Sequence, residues 1–292
     1  MRVLYFPGCT LKNKAANFDE SMVSAMAALG SELQELDRWN CCGTVYSMTD
    51  DDLMQQLAPM RNLLRAEQQG GGVLLTPCSM CYNTLKRAQT FVGTDPDRLQ
   101  RVRDIMYKED GVYEGRVDVV HPLVFLRDQI GFEQVKQAVT KPLDGLKLAA
   151  YYGCLLTRPA ELAIDNPGSP RVMEDLLQAL GAEPVSFGQN SECCGAYQTL
   201  TRRAVTLGRI HAILGSAAIA GAQGLVTSCP LCAYNLDQMQ REAVKVMPDT
   251  ARMPIFYFSE LMAVAFGQSW SKEWTALHHV DPHPLIEAVG GA

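Results

Sequence analysis

Several patterns that mark common classes of protein are missing from this chain of 292 residues. It has no run of Lys or Arg longer than a pair and a formal net charge of -6, so it lacks the clustered basic face of a nucleic-acid-binding protein. Its most apolar late stretch, residues 212–226, is rich in glycine and contains Gln223, which is not typical of a membrane span. No Gly-x-Gly-x-x-Gly or P-loop motif opens a helix, so no nucleotide or flavin site of the usual kind is expected.

The opening residues, MRVLYFPGCT, also lack the features of a signal peptide. Their apolar run is too short, and no small-residue cleavage site follows it. We therefore expect a cytoplasmic protein. Because cytoplasmic thiols are kept reduced, the ten cysteines predict metal or redox chemistry rather than structural disulfides.

The cysteines form two sets of five in the same order. Each set reads as one cysteine, then Cys-Cys-Gly, then Cys-x-x-Cys, and the sets are Cys9, Cys41, Cys42, Cys78 and Cys81, and Cys154, Cys193, Cys194, Cys229 and Cys232. Flanking segments repeat too, for example GGVLLTPCSMCYNTL (71–85) and GLVTSCPLCAYNL (224–236). This pattern indicates an internal duplication, with an N-terminal domain at 1–143 and a C-terminal domain at 144–292, divided near TKPLDG.

Short apolar runs alternate with longer helical patterns in both halves. Strands are predicted near 2–6, 33–36, 73–76 and 117–120, and again near 147–151, 183–186, 224–227 and 254–257. Apolar residues at helical spacing predict helices over 52–69 and 203–220. The expected fold class is α/β, with two tandem Rossmann-like three-layer domains that contain parallel sheets and are related by a pseudo-two-fold. Every cysteine is then predicted to lie just after a strand, in the loop leading to the next helix, at the edge where open α/β sheets bind ligands.

Five thiolates in each half are soft ligands, which select zinc, copper(I) or iron–sulfur clusters. A structural zinc ion needs four ligands, so the fifth cysteine would have no role in a zinc site. Adjacent cysteines suit a larger multi-iron body, and Gly43 and Gly195 would let the backbone approach it with positive φ. A simpler alternative is a disulfide between neighbours or an adventitious pair of buried thiols, and zinc in at least one half also stays open.

The assembled motifs resemble those of the B subunits of heterodisulfide reductases, in the cysteine-rich CCG-domain family. The resemblance covers essentially the whole chain and rests on the segments PGCT, NCCG, TPCSMCYNTLK, YYGC, ECCG and SCPLCAYNLD. It implies that each five-cysteine set binds one noncubane [4Fe-4S] cluster, and that all ten cysteines act catalytically through these two clusters. A disulfide would be cleaved or formed between the clusters.

The same resemblance implies a larger cytoplasmic complex. Its other members would be a ferredoxin-like subunit and a flavin-bearing subunit, which relay electrons to this chain. Two alternatives stay open. One is an electron-transfer subunit of a flavin-dependent oxidoreductase of the lactate or glycolate type, and the other is a zinc-stabilised scaffold.

Histidines and tyrosines near the cysteines have simpler explanations than catalysis. His121 lies where a strand meets a helix, which favours a capping or packing role over proton donation. His278, His279 and His283 lie in a segment with two prolines that predicts an extended, packed or docking tail. Tyr5, Tyr151 and Tyr152 are predicted to be core residues at strand ends.

Overall fold

A computed structural model of the chain describes residues 1–44 and 53–290. It contains two four-stranded sheets in which every strand pair is parallel, with strand orders β2-β1-β3-β4 and β6-β5-β7-β8. The strands are β1 Arg2–Tyr5, β2 Glu32–Glu35, β3 Gly72–Leu75, β4 Val117–Val120, β5 Lys147–Ala150, β6 Glu183–Val185, β7 Gly224–Thr227 and β8 Ile255–Tyr257. The predicted α/β class and all eight strands are thereby confirmed.

Helices connect the strands and cover the sheets. In the first half they are α1 Ala16–Ala28, α2 Leu57–Gln68, α3 Ser79–Gly93, α4 Pro96–Ile105, α5 Pro122–Phe125 and α6 Phe132–Gln137. In the second half they are α7 Val172–Ala179, α8 Arg203–Ile219, α9 Pro230–Ala233, α10 Gln240–Val246, α11 Phe258–Ala265, α12 Lys272–Leu277 and α13 His283–Gly290. The predicted helix over 203–220 is confirmed. The other, over 52–69, begins with a 3₁₀ turn at Leu53–Gln56, and residue 52 lies outside the described residues.

Composition explains the places of the central and edge strands. Strand β7 is buried along its whole length and reads GLVT, the near-continuous apolar run expected of a strand covered on both faces. The edge strand β2 reads ELQE and is largely exposed, which suits a sheet edge. The polar β2 and the apolar β7 thus agree with their places in the sheets, whereas the edge strand β8, IFY, is apolar and buried.

Among the described residues, one hydrophobic core extends across both halves and a second lies within the second half. Phe18 on α1 stacks on Tyr257 with ring centroids 4.2 Å apart and meets Phe258 edge-on at 5.8 Å. Close to these rings, the Asn17 amide donates to the buried Glu260 carboxylate at 2.7 Å. Helix α1 of the first half therefore packs on α11 of the second half.

The C-terminal segment differs from its prediction. The two prolines, Pro282 and Pro284, predict an extended segment over 278–286, but α13 begins at His283, so Pro284 lies in its first turn. Proline is tolerated there because the first N–H groups of a helix have no intrahelical partner. The prediction of an extended tail is therefore wrong.

Candidate functional site

All ten cysteines lie at the carboxyl edges of the two sheets. The single and paired cysteines occupy the loops after the first and second strand of each half. Cys78 and Cys229 are the N-cap residues of α3 and α9, while Cys81 and Cys232 lie in the first turns of those helices. The prediction that every cysteine lies in a loop is therefore wrong for these last two.

The five thiols of the first half form a continuous string. Cys9 contacts Cys41, and Cys41 contacts Cys42. Cys42 then contacts Cys81, which contacts Cys78. Thus the structure brings together residues that are up to 72 positions apart in sequence, from Cys9 to Cys81.

The second half contains the same elements. Cys154 contacts Cys193, the Sγ atoms of Cys194 and Cys232 lie 3.4 Å apart, and Cys232 also contacts Cys229. None of the ten cysteines forms a disulfide.

The two sets meet where the Cys-x-x-Cys motifs face each other. The thiols of Cys78 and Cys229 interact across the junction between the halves: Cys229 raises the pKa of Cys78, and Cys232 and Cys78 lower that of Cys229. Beside them, the Ser79 and Ser228 hydroxyl oxygens lie 2.6 Å apart, and both residues are buried. The expectation that two like sites face one another agrees with this arrangement.

Glycines allow the chain to pass close to the thiols. A Cβ atom on Gly8 would lie 2.8 Å from Cys81 Sγ, and one on Gly153 would lie 3.4 Å from Cys232 Sγ. Both glycines have positive φ, +76° and +64°. The predicted positive φ of Gly43 and Gly195 is confirmed at +81° and +82°. Small residues thus keep space open on the main-chain side of each thiol set.

The first member of each cysteine pair has a lowered pKa. Hydrogen bonds from Cys42 and Cys9 lower the pKa of Cys41 to about 2. A hydrogen bond from Cys154 lowers the pKa of Cys193 to about 6, against the effect of burial, and the Gly195 N–H donates to its Sγ at 3.3 Å. Each half therefore presents a thiolate at the same position of its motif, and thiolates are the form that binds metals.

The thiol arrangement fits a ligand set for several metal atoms better than a single-ion site. In the string each thiol contacts one or two others, and within residues 1–44 and 53–290 no three His, Cys, Asp or Glu side chains are grouped so as to hold one metal ion. A tetrahedral zinc site needs four ligands around one centre. Iron–sulfur clusters instead take one thiolate at each of several irons.

The two sites differ in their access to solvent. Cys9 and Cys41 are exposed. Around the second set the remaining space is only about 20 Å³, bounded in part by Met80, Tyr152 and Tyr197. The Tyr197 hydroxyl donates to the Met80 sulfur at 3.0 Å, so a residue of the first half helps to cover the second site.

His121 has the capping role that its position predicts. It is the N-cap residue of α5, and its Nδ1 accepts a hydrogen bond from the Leu123 N–H at 3.2 Å. Its Nε2 lies 3.0 Å from the carbonyl oxygen of Pro77, the residue before Cys78. Burial lowers the pKa of His121 to about 3, so this imidazole is neutral near pH 7.

The three tyrosines at the strand ends are also core residues, as predicted. The hydroxyl of Tyr5 donates to Asp19 at 2.7 Å, that of Tyr151 donates to the Glu192 carbonyl at 2.6 Å, and that of Tyr152 donates to Glu174. Their hydroxyl protons are therefore engaged in hydrogen bonds within the protein.

Sequence reasoning missed a cavity of about 550 Å³ between the halves, whose wall includes Thr10 and Leu231, sequence neighbours of Cys9 and Cys232. Its wall includes His278, whose Nε2 lies 3.0 Å from Glu260 Oε1 and 3.2 Å from Asn17 Nδ2. Burial alone would lower the pKa of His278, but the Glu260 carboxylate raises it on balance. The packing role predicted for the tail is confirmed at His278. Asn17, the partner of His278 on α1, is 261 positions away in sequence, so no local signal could identify this contact.

Comparison with protein families finds one match in each half. A family described as "Cysteine-rich domain", abbreviated CCG, matches residues 3–86 and 148–237. In the part of the chain that the structure describes, no helix has both the length and the apolar character needed to cross a membrane.

Curated relatives match along nearly the whole chain. The 8-methylmenaquinol:fumarate reductase membrane anchor subunit of Wolinella succinogenes is 33% identical over 264 residues, which are 90% of this chain and 91% of that protein. A protein of Archaeoglobus profundus, named as similar to the B subunit of heterodisulfide reductase, is 29% identical over 269 residues, 90% of this chain and 89% of that protein. The B subunit of the ferredoxin/F(420)H(2)-dependent CoB-CoM heterodisulfide reductase of Methanosarcina acetivorans is 28% identical with the same coverage.

Among solved structures, a hypothetical protein from Helicobacter pylori has a similar fold. It superposes with a TM-score of 0.74 at 15% identity and covers 95% of this chain. This chain spans about half of that protein, 51% of its length. At this identity the likeness supports the fold alone.

Proposed function

Because the chain belongs to the cysteine-rich CCG-domain family, we propose that it is the catalytic iron–sulfur subunit of a heterodisulfide reductase-type complex, which cleaves or forms a disulfide. Relatives named for the B subunit of heterodisulfide reductase cover about nine-tenths of the chain and support this proposal. The observation that carries it is the contact between Cys78 and Cys229, where the two thiol sets meet. Two like sites that face one another suit a substrate with two sulfur ends.

The proposed ligands are the two five-cysteine sets. Cys9, Cys41, Cys42, Cys78 and Cys81 would hold one noncubane [4Fe-4S] cluster, and Cys154, Cys193, Cys194, Cys229 and Cys232 would hold the other. When bound, such clusters supply electrons to, or withdraw them from, the sulfur atoms of the substrate. The proposed domains, 1–143 and 144–292, would each carry one of these sets.

The surrounding side chains would hold the thiols in place and limit the entry of water. Neutral His121 contacts the Pro77 carbonyl, which fixes the turn before Cys78 without placing a charge beside it. Met80 and Tyr197 cover the second site. Cleavage of one disulfide consumes two electrons and two protons and yields two thiols.

The exposed first site is the proposed point of electron entry. Because Cys9 and Cys41 are exposed, a partner protein could approach this thiol set more closely than the second. We assign that partner role to a ferredoxin-like subunit, which a flavin-bearing subunit would supply with electrons, in a cytoplasmic complex. This agrees with the absence of a nucleotide-binding glycine motif from the sequence.

Metal analysis and spectroscopy test the proposal. Anaerobically purified protein should contain about eight irons and as many acid-labile sulfides per chain, the content of two four-iron clusters. Addition of a disulfide or thiol should change the EPR spectrum, because substrate sulfur would reach the clusters. Two zinc ions without sulfide would contradict the cofactor assignment, and a spectrum indifferent to thiols and disulfides would contradict catalysis at these sites.

One relative favours a second candidate function. The chain is 33% identical to a component of an 8-methylmenaquinol:fumarate reductase, which points to an electron-transfer role between a quinol and a partner reductase. The alternative partner predicted from sequence, a hydroxy-acid oxidoreductase, stays a prediction. Reduction of the iron by a menaquinol analogue, together with an EPR spectrum unchanged by disulfides, would favour the electron-transfer role.

A further inference from the structure

The carbonyl group of the first paired cysteine is bonded differently in the two halves. In the first half, the neutral side-chain amide of Asn40 donates to the Cys41 carbonyl at 2.7 Å. In the second half, the guanidinium Nε of Arg209, on α8, donates to the Cys193 carbonyl at 3.1 Å. The second thiol set therefore has a positive charge bonded directly to its cysteine pair.

The charge of Arg209 is only partly neutralised by its acidic neighbour. Its Nη2 lies 3.4 Å from Glu192 Oε2 and donates to Gln189 Oε1 at 3.0 Å. Glu192 is shared with a second guanidinium, since Arg158 Nη2 lies 3.7 Å from its Oε1. Two cations therefore face one carboxylate, and this group of side chains keeps a net positive charge beside Cys193.

An arginine of the first half, Arg65, approaches its cysteine pair less directly. It donates to Asn40 Oδ1 at 2.8 Å, and the amide nitrogen of the same Asn40 side chain donates to the Cys41 carbonyl. The charge of Arg65 is therefore separated from Cys41 by the Asn40 side chain. The two sets thus differ in the distance along the hydrogen bonds from a guanidinium to the first paired cysteine.

The segments after the Cys-x-x-Cys motifs also differ. After the last cysteine of each half the chain reads Tyr-Asn-Thr in the first half and Ala-Tyr-Asn in the second. Tyr82 thus corresponds to Ala233, and Thr84 to Asn235. The Thr84 hydroxyl donates to the Met80 carbonyl at 2.8 Å, within its own helix. In the first half, therefore, this side chain serves the helix.

Asn235, in contrast, serves the second thiol set. Its amide nitrogen donates to the Cys194 carbonyl at 3.1 Å and lies 3.7 Å from the Cys194 Sγ atom. The Thr199 hydroxyl donates to Asn235 Oδ1 at 3.1 Å, which fixes the orientation of the amide, and Asn235 is buried. Each member of this cysteine pair therefore has a side-chain donor of its own.

These contacts act against the enclosure of the second site. The space there is only about 20 Å³, whereas Cys9 and Cys41 of the first set are exposed. Burial disfavours the additional negative charge that a reduced iron–sulfur cluster carries, while hydrogen bonds to sulfur and a nearby positive charge favour it. The thiols show the same preference, because the pKa of Cys193 is lowered most by Cys154 and further by the Arg209 charge.

We propose that Arg209 and Asn235 are positioning residues of the second thiol set, which raise the reduction potential of the iron–sulfur cluster held there. The inference rests on the proposed cofactor and adds a direction to the proposed function. Electrons that enter at the exposed first site are drawn toward the enclosed second site, because these two side chains offset the cost of placing negative charge there. Each acts through the cysteine that it contacts.

A redox titration of the anaerobic, cluster-loaded full chain tests this assignment. Visible absorption and EPR spectra recorded against the solution potential should resolve the two clusters, and Cys41→Ser, which should keep only the second cluster, identifies its signal. In Arg209→Gln the ratio of reduced to oxidised second cluster at a fixed potential should fall about tenfold, a shift of about 59 mV for one electron. The effect is moderate because the Arg209 side chain is 32% exposed and water screens part of its charge. The potential of the first cluster should stay unchanged.

Matched variants separate charge from structure. Arg209→Lys keeps the charge and should shift the potential much less than Arg209→Gln, although it loses the planar guanidinium. Arg203→Gln removes the same charge from the same helix, where Arg203 Nε donates to Glu242 at 2.7 Å, and should leave both potentials unchanged. Asn235→Thr installs the residue of the first half and should lower the second potential by itself. It also serves if Arg209→Gln fails to fold. Equal iron content shows that the clusters are retained.

The outcomes separate this inference from the proposed function. If the wild-type chain holds zinc and no iron, the cofactor assignment and this inference both fail. If the EPR spectrum responds to disulfides but Arg209→Gln and Arg209→Lys lower the second potential equally, the charge is not the cause and this inference alone is wrong. An unchanged second potential in both Arg209→Gln and Asn235→Thr would overturn it as well.

Discussion

The hydroxyl groups of Ser79 and Ser228 form a 2.6 Å hydrogen bond across the junction between the two halves. The Ser79 N–H also approaches the Ser228 carbonyl oxygen, at 3.4 Å. These serines are sequence neighbours of Cys78 and Cys229, so they set the separation of the facing motifs. The geometry between the two thiol sets thus depends on a small polar contact beside the facing motifs.

Replacement of either serine should destabilise the chain measurably. Ser79→Ala or Ser228→Ala removes one buried hydrogen bond and leaves its partner unsatisfied, which costs about 1–3 kcal/mol. The double variant should cost less than the sum of the single variants, because the two hydroxyls serve each other. Denaturant unfolding followed by circular dichroism measures these differences. If the losses of unfolding free energy in the two single variants add up to the loss in the double variant, the serines act independently.

Gly8→Ala should prevent the first site from assembling. Its Cβ would lie 2.8 Å from Cys81 Sγ, and its φ of +76° disfavours any side chain. The expected result is the loss of about half of the bound iron, because only one of two clusters is affected. Gly30→Ala is the matched control, since Gly30 also has a positive φ of +71° but no described atom within 4 Å of the added Cβ. If both variants lose iron equally, backbone strain rather than the approach to Cys81 is the cause.

The equivalent cysteines Cys41 and Cys193 should each be needed for iron binding at one of the two sites. Cys41→Ser and Cys193→Ser should each remove about half of the iron, and together nearly all of it, because serine is a poor substitute for a thiolate ligand. Iron analysis, acid-labile sulfide and visible absorption provide the measurement. Complete loss of iron in either single variant would indicate that the two sites assemble only together.

His121 should make the chain sensitive to acid. Its pKa is lowered from 6.5 to about 3 by burial, so the unfolded state binds a proton that the folded state rejects. The contribution of neutral His121 to the free energy of unfolding is therefore complete above about pH 6.5. It declines toward pH 3 by about 1.4 kcal/mol per pH unit.

A variant without the titrating ring isolates this effect. His121→Asn retains a good N-cap residue for α5 but cannot take up the proton. The difference in unfolding free energy between about pH 7.5 and about pH 5.5, on either side of the ordinary histidine pKa, should be smaller in His121→Asn than in the wild type. If the wild type and His121→Asn show the same difference between the two pH values, burial does not lower the pKa of His121.

Much of the fold follows from local signals in the sequence. The strand β7 could be placed to the residue because its four apolar or small residues lie between Gly221 and the polar turn at Ser228. The duplicated cysteine order located both sites at strand ends, and His121 could be recognised as a capping residue from its position. The strand and the capping residue depend on a few consecutive residues, and the cysteine order is readable along the sequence without knowledge of packing.

The remaining features depend on residues far apart in the chain. Tyr82 is visible in the sequence, but only packing shows that its hydroxyl donates to the Leu162 carbonyl in the other half. The C-terminal histidines give no indication in the sequence that His278 is buried against Asn17 and Glu260. Pro284 suggests a break in helical structure, although in the first turn of α13 it costs no hydrogen bond.

The packing between the halves also bears on the history of the gene. Helix α1 of the first half packs on α11 of the second, and in the reciprocal sense α7 of the second packs on α5 of the first. Each pair joins the helix that follows a first cysteine to the helix that follows a fourth strand, which is the self-complementary pattern of a C₂ dimer. An ancestor half as long would thus have paired with a second copy of itself. Fusion of the two copies then freed residues such as Ala233 and Tyr82 to diverge, which identical protomers could not do.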